Sequence, residues 1–453
     1  MMMSGLILAK RSYWNKKIET MPLGEIKELQ EKKLRQQIDY IYNNSEFYHE
    51  KLKEWNIKPS NIKTIEDLRK IPYTSKTMER ESFKEGKSVL GKNQTASTKD
   101  IIRIHSSSGT TGPPVYFGLT EADVETWSNC IARCFWTAGV RPSDVVMYGW
   151  GLSMFVGGIP VLDALRKIGC ATIPAGAGIG SRRFLDIARD LRANVFGLTP
   201  SFARYLLEKV EDMGLDPKKD FNFEKFFAGA EPGMGEEHIR KEIKEGWGLE
   251  SARETLGIGE MVTVLASECE QENGMHFMVP DLIITELIDP DTGEVIEWEH
   301  EAEGELVYTA IDRRATPLLR FRSRDYAKVW KDDCECGRTT TKVRVIGRTD
   351  DMLLYKGVNV FPTAVREMVG QFKPKVTGYV QIVLNEPGPK IEGTPTLEVE
   401  VSKDVEEGEL DNLRNSIKEV LQSQLLFTPK IKFVPAGGIE RSRYKADLVR
   451  VKS

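Results

Sequence analysis

Apolar runs long enough to cross a membrane are missing. No stretch approaches the ~18–20 consecutive apolar residues that a span requires. The opening Leu6-Ile7-Leu8-Ala9 run is too short for a signal-peptide core and gives way at once to Lys10 and Arg11, so the expected location is cytoplasmic. Cysteine is sparse, six in 453 residues, which excludes a disulfide framework as the source of stability. Charge of one sign is nowhere concentrated. The 64 basic and 68 acidic side chains are interleaved to a net −4, without the basic face of a nucleic-acid binder. Histidine occurs five times, and His49, His105, His238 and His300 belong to no Ser–His–Asp arrangement. Internal repeats, low-complexity tracts and the Walker ending Gly-Lys-Ser/Thr are absent as well.

What is there is long and patterned. A single core stops growing at about 250–300 residues, so a chain of this length should hold at least two domains. Ile26, Leu29, Leu34, Ile38 and Ile41 recur at helical spacing, with charge between them. Residues 57–90 read as short helices and loops. From 120 to 230, helical stretches alternate with short apolar runs at 144–148, 170–173 and 194–198. That alternation predicts α/β layers around a largely parallel sheet. After about 275 short β-like runs dominate, at 282–288, 304–309 and 326–330. The charged link Gly347-Arg348-Thr349-Asp350-Asp351 precedes a small α+β region, predicted as helix 362–369, strands 379–384 and 396–402, helix 407–425 and strand 430–434. The expected division is 1–347, a hinge at 348–351, and 352–453.

Two local patterns carry chemistry. Ser106-Ser107-Ser108-Gly109-Thr110-Thr111-Gly112-Pro113 follows a predicted strand. Glycines let a backbone wrap closely round phosphate while N–H groups and hydroxyls donate to its oxygens. An ordinary loop has the same composition, so both readings stand. Cys269 and His276 precede Cys334-Glu335-Cys336-Gly337-Arg338. Three thiolates and one imidazole make a tetrahedral donor set for structural zinc if the fold unites them; four unrelated residues are the alternative. Cys130, Cys134 and Cys170 read as core.

The order of motifs goes further. Phe47-Tyr48, Ile71-Pro72-Tyr73-Thr74-Ser75-Lys76, Ser107 to Gly112, Tyr148-Gly149-Trp150-Gly151-Leu152, Thr199-Pro200-Ser201, Gly229-Ala230-Glu231-Pro232, Gly257-Ile258-Gly259-Glu260, Phe321-Arg322-Ser323-Arg324-Asp325 and the run from 347 to 362 follow one another along nearly the whole chain. In this the chain resembles the adenylate-forming superfamily, and specifically its phenylacetate–CoA ligase branch. The resemblance implies a large N-terminal adenylate-forming domain of α/β layers with a β-rich subdomain, and a small mobile α+β C-terminal domain. It implies an acid–thiol ligase that adenylates a carboxylic acid with ATP and passes the acyl group to coenzyme A, releasing AMP and pyrophosphate. The partners would be that acid and CoA, with neither nucleic acid nor membrane, in a chain that is monomeric or homodimeric.

Roles follow by the same resemblance. Ser107, Ser108, Gly109, Thr110, Thr111 and Gly112 would hold the ATP phosphates. Ala230, Glu231 and Pro232 would border the adenine, and Glu260 would hold Mg²⁺. Asp325 would accept from the ribose hydroxyls, with Arg348 nearby. Lys445 would be the catalytic cation opposite the charge that builds at the α-phosphate. Asp350 matches the hinge. Gly357 would line the tunnel for the thiol, an ordinary turn glycine being the alternative. Tyr148, Trp150, Gly151 and Phe155 would wall the acid pocket, with an aryl acid favoured. Similar Cys/His positions in some relatives support zinc at Cys269, His276, Cys334 and Cys336. Four positions depart from the family pattern: Pro113 stands for lysine, Leu256 for an aromatic, Gly259 for serine and Tyr444 for glycine. Two other readings are open: adenylation of a small hydroxy acid or a redox coenzyme, and a nucleotide-binding paralogue without turnover.

Overall fold

The computed structural model describes residues 12–107, 114–391, 393–442 and 447–452. Helix α1 (Leu23–Asn44) turns Ile26, Leu34, Ile38 and Ile41 inward, and α2 (Glu46–Glu54) adds Phe47, Tyr48 and Leu52. Both close over Ile284, Ile311 and Leu319. Helix α3 (Lys76–Glu85) starts at a Ser75 cap. Just ahead of that cap, the Thr74 N–H donates to the Arg320 carbonyl and the Arg322 N–H donates to the Thr74 carbonyl. The start of α3 is thereby fastened to a strand some 250 residues later in the chain, between 321 and 330.

Strands β1 (Ile101–Ser106) and β2 (Tyr116–Thr120) form an antiparallel hairpin, followed by α4 (Glu121–Thr137). Then come β3 (Val145–Tyr148), α5 (Ile159–Ile168), β4 (Ala171–Ile173), α6 (Ser181–Asp190), β5 (Val195–Leu198), α7 (Pro200–Asp212), β6 (Lys225–Ala228), α8 (Glu237–Trp247) and β7 (Ser251–Ile258). The five strands run parallel in the order β4-β3-β5-β6-β7. Alternation with period two sends their side chains to two different cores. Val146, Tyr148, Val195 and Phe227 join α4 and α5 on one face. Met147, Phe196, Leu198, Phe226 and Ala228 join α6, α7 and α8 on the other.

The sheet expected to be largely parallel is parallel only to β7. It continues antiparallel through β8 (Val262–Glu268), β9 (Met275–Phe277), β10 (Ile283–Ile288), β11 (Val295–Ile296), β12 (Glu303–Ala310), β13 (Phe321–Trp330) and β14 (Lys342–Arg348). One twelve-stranded sheet results, ordered β11-β10-β12-β13-β14-β9-β8-β7-β6-β5-β3-β4. The physical reason is the Gly257–Gly259 turn. It folds β8 straight back on β7, where a parallel neighbour needs a helical crossover.

Beyond Asp351 lie β15 (Leu353–Tyr355), β16 (Val358–Val360), α9 (Pro362–Gly370), β17 (Val376–Leu384), β18 (Lys390–Ile391), β19 (Thr396–Val401), α10 (Leu410–Leu425), β20 (Lys430–Val434) and β21 (Val449–Val451). Their core is their own: Val365, Val369, Ile382, Leu397, Val399, Ile417 and Leu421. Among the described residues no helix is long and apolar enough to cross a membrane.

The seam between this small unit and the large sheet is ionic. Buried Arg366 on α9 meets buried Glu236 at 3.1 Å. Arg204 on α7 donates to Glu242 at 2.9 Å and to the Thr377 carbonyl, and Lys373 pairs with the same Glu242. The Tyr379 ring lies between two guanidiniums, Arg204 at 4.0 Å and Arg441 at 3.5 Å. Such pairs hold two bodies in register through charges that water can solvate when they part. Truncating Arg366 to alanine leaves the Glu236 charge buried and unpaired, an imbalance of about 3–5 kcal/mol. Arg366→Ala is therefore expected to open the seam and speed proteolytic cutting at residues 348–351 roughly tenfold or more. Unchanged cutting would show that the seam does not depend on this pair.

Candidate active site and metal cluster

The chain leaves β3 toward β4 on one side and returns to β5 on the other. That reversal opens a crevice at the carboxyl ends of β3 and β5, where open α/β sheets take ligands. Four motifs fall at the carboxyl ends of neighbouring strands: Gly149-Trp150-Gly151 after β3, Thr199-Pro200-Ser201 after β5, Gly229-Ala230-Glu231-Pro232 after β6 and Gly259-Glu260 after β7.

Trp150 lies over β5 and β6, its Nε1 3.4 Å from the Gly229 carbonyl and its ring 5.5 Å from Phe227. A Cβ on Gly197 would come within 2.8 Å of the indole, so that glycine makes room for it. Gly151 has open space before it. Tyr148, expected at the pocket wall, ends β3. It is fully buried, and its hydroxyl donates to the Gly157 carbonyl, closing the loop that follows β3. Phe155 packs against the main core and bridges to Ser106, laying that loop across the end of β1. Ala230 has a left-handed φ of +74°, a conformation uncommon for non-glycine residues. Glu231 is buried and accepts the Ser201 N–H at 2.7 Å, beside the Thr199 cap of α7.

Ser107 clasps the base of the Ser/Gly/Thr loop. Its N–H donates to the Val115 carbonyl at 2.9 Å, and its Oγ accepts the Val115 N–H at 3.0 Å. Ser108, Gly109, Thr110, Thr111, Gly112 and Lys445 lie outside the described residues.

Glu260 sits in the turn between β7 and β8. A Cβ on Gly257 would lie 1.6 Å from the Thr263 carbonyl oxygen, and one on Gly259 would lie 2.9 Å from Val156. The departure at 259 therefore has a steric reason. Glu260 is 5% exposed, with Oε1 3.0 Å from Lys76 Nζ. Glu79, one turn further along α3, is also buried, and its Oε2 has no hydrogen-bond partner. Burial and the neighbouring Glu260 charge hold the Glu79 carboxyl well above the usual range. Hard divalent cations take carboxylate oxygens, and an orphaned buried oxygen beside Glu260 fits that chemistry. Sequence reasoning quoted Lys76 as part of a motif without giving it a role, and passed over Glu79.

Asp325 faces Arg348 directly across β13 and β14, with Oδ1 3.0 Å from Nη1. β13 alternates strictly, and Asp325 shares its buried face with Phe321, Ser323, Ala327 and Val329. Arg348 also grips Asp350 through Nε at 2.9 Å and Nη2 at 2.8 Å. Burial opposes the guanidinium charge, but Asp325 and Asp350 outweigh it and hold Arg348 above its ordinary value. Gly357 (φ +83°) and Lys356 (φ +50°) form the two-residue connection between β15 and β16. Two positive φ values are what a type I′ turn needs, so the turn accounts for this glycine.

Away from the crevice, Cys269 follows β8, His276 lies on β9, and Cys334 and Cys336 cap the β13–β14 hairpin. Their ligand atoms all lie within 4.8 Å of one another. Cys269 and Cys334 sulfurs are 3.7 Å apart, and Cys336 Sγ is 3.4 Å from His276 Nε2. A tetrahedron of ~2.3 Å metal–sulfur bonds has edges of about 3.8 Å. His276 Nδ1 is 3.0 Å from the Thr340 carbonyl, an outer contact that orients a ligating imidazole.

The fold and these placements define an adenylate-forming enzyme. Residues 357–451 match the family model of the AMP-binding enzyme C-terminal domain. A phenylacetate-coenzyme A ligase of Thermus thermophilus is 32% identical over 440 residues, covering 94% of this chain and 96% of that protein. A solved structure of 2-hydroxyisobutyryl-CoA ligase in the postadenylation state with 2-HIB-AMP superposes with a TM-score of 0.90 at 28% identity, covering 98% of this chain and 93% of that one. The same ligase with 2-HIB-AMP and CoA in the thioesterification state gives 0.71 at 28% identity over 98% and 93%. The chain belongs to the phenylacetate–CoA ligase family.

Gly257→Ala would force the β7–β8 turn apart under Glu260. It is expected to cost about 3 kcal/mol, read as a lowered urea midpoint; an unchanged midpoint would show that the turn has slack.

Proposed function

We propose that the protein is an ATP-dependent, AMP-forming acid–CoA ligase, with an aryl or arylacetic acid as the substrate. The observation that carries this reading is the set of motifs at the carboxyl ends of β3, β5, β6 and β7. The acid's carboxylate attacks the α-phosphorus of ATP, an acyl-adenylate forms, and pyrophosphate leaves. The CoA thiol then attacks the acyl carbonyl, loses its proton and displaces AMP. Asp325 accepts from the ribose hydroxyls, and Arg348 keeps that carboxylate ionised and oriented. The 107–112 loop holds the phosphates, Ala230 and Pro232 border the adenine, and Trp150 and Gly151 border the acid. Lys445 sets its charge against the reacting phosphoryl oxygens. Mg²⁺ at Glu260, when bound, offsets the negative charge of the leaving pyrophosphate.

Both half-reactions share one site because the unit from 352 onward turns about 348–351. The greater likeness to the postadenylation state supports reading the ionic seam as the adenylation pose. A small hydroxy acid is the second reading, supported by the likeness to 2-hydroxyisobutyryl-CoA ligase. Zinc at Cys269, His276, Cys334 and Cys336 is structural: all four positions are taken by protein, and the site pins the end of the β13–β14 hairpin opposite Asp325 and Arg348.

Pyrophosphate release from ATP and Mg²⁺ across phenylacetate, benzoates and short hydroxy acids is expected with one class of acid, and thioester only when CoA is added. Silence across the panel would contradict the reading. Lys445→Ala is expected to lower adenylation by two orders of magnitude or more, roughly the loss of a preorganised charge. It should leave CoA reacting normally with supplied acyl-adenylate; loss of both steps would remove the assignment. Elemental analysis is expected to find about one zinc per chain, and Cys336→Ser to lower both zinc and thermal stability. A metal-free protein of equal stability would exclude the zinc reading.

A further inference from the structure

We infer that Glu79 is a second carboxylate for the divalent cation that Glu260 holds against the ATP phosphates. The inference rests on the reading of Glu260 given above.

Four observations carry it. Glu79 is 7% exposed, and its Oε2 has no hydrogen-bond partner. A buried carboxylate without a donor costs several kcal/mol as a rule, and such groups in native proteins call for an explanation. The strongest charge acting on it is Glu260, a second buried carboxylate. Among the described residues, the only cation in ion-pair contact with either carboxylate is Lys76, 3.0 Å from Glu260 Oε1. The Lys76 and Arg80 charges favour an ionised Glu79 from a distance, but burial and Glu260 outweigh them. Arg313 does not balance the two carboxylates, because its Nη atoms donate to the Met261 and Gly118 carbonyls and its Nε is 3.9 Å from Asp123.

The placement of α3 agrees with this. Its start is hydrogen-bonded to β13, the strand that bears Asp325, and Phe83 near its end lies 5.4 Å from Tyr116, just past the phosphate loop. α3 therefore spans the ground between the ribose strand and the phosphate loop. It presents an ammonium and a carboxylate one turn apart. When MgATP enters, Lys76 can turn to phosphate, and the cation takes the two carboxylate oxygens. Oxygen-only ligands are what Mg²⁺ prefers.

The test compares ATP binding to the full-length protein by calorimetry, without an acid substrate, in Mg²⁺ and in EDTA. For Glu79→Gln, which keeps the shape and removes the charge, the affinity gained from Mg²⁺ is expected to fall roughly tenfold or more. ATP affinity in EDTA is expected to hold, because Glu79 acts through the cation alone. Glu79→Leu, which removes both the charge and the unpartnered buried oxygen, is expected to show the same loss and to denature no earlier than wild type. Bound Mn²⁺ measured by paramagnetic resonance in the ATP complex should fall in step. An unchanged Mg²⁺ effect in Glu79→Gln, with the effect lost in Glu260→Gln, overturns the role of Glu79 and leaves Glu260 in place. An unchanged effect in both variants overturns the Glu260 reading as well. Earlier denaturation of Glu79→Leu with a normal Mg²⁺ effect marks Glu79 as structural and also overturns the inference.

Discussion

Arg348 sits between two carboxylates, Asp325 on the last long hairpin of the large sheet and Asp350 at the start of the small unit. This guanidinium is the narrowest link in the molecule. A planar fork with five donors serves both acids at once, gripping Asp350 through two nitrogens and Asp325 through a third contact. The strand that carries Asp325 and the link to the C-terminal unit therefore share one charged group. If the unit turns about 348–351 as proposed, a ligand beside Asp325 would be felt at that point.

The rest of the architecture keeps that link in place. The Cys/His cluster gathers β8, β9 and the β13–β14 turn at one end of the hairpin, so the end with Asp325 and Arg348 is held by its far side. The ionic seam of Arg366, Glu236, Arg204, Glu242 and Tyr379 sets the small unit against α7 and α8. Ion pairs suit a surface that must part repeatedly, since the separated charges are solvated by water, whereas a parted apolar face would invite aggregation. The cost of holding Glu79 and Glu260 together is of another kind, local strain retained at the place where phosphate charge arrives.

Much of this was legible in the sequence, for reasons that differ by residue. Asp325 is read from the Phe-Arg-Ser-Arg-Asp motif and not from periodicity, since the strand predicted from the sequence begins only at 326, and Cys-x-Cys-Gly-Arg offers a metal knuckle by its spacing, with unrelated residues as the alternative. Motif order carried the family. The small unit's elements were read nearly to the residue from 396 to 434, where period and punctuation agree. Other features depend on contacts distant in sequence. Lys76 and Glu79 look like an exposed charged face until the fold brings Lys76 to Glu260 and buries Glu79. The change from parallel to antiparallel at β7 turns on Gly257 meeting Thr263, a contact that no pattern announces.

The most direct test of the account is the distance between the two units, measured with spin labels placed on exposed positions of α8 and α10. A non-reactive acyl-adenylate analogue would be added alone and then with CoA. The account predicts one short distance with the analogue alone, a second distance populated on adding CoA, and a loss of that two-state response in Arg348→Ala. A distance that ignores CoA, or a response that survives in Arg348→Ala, would contradict the coupling of nucleotide site to hinge through this residue.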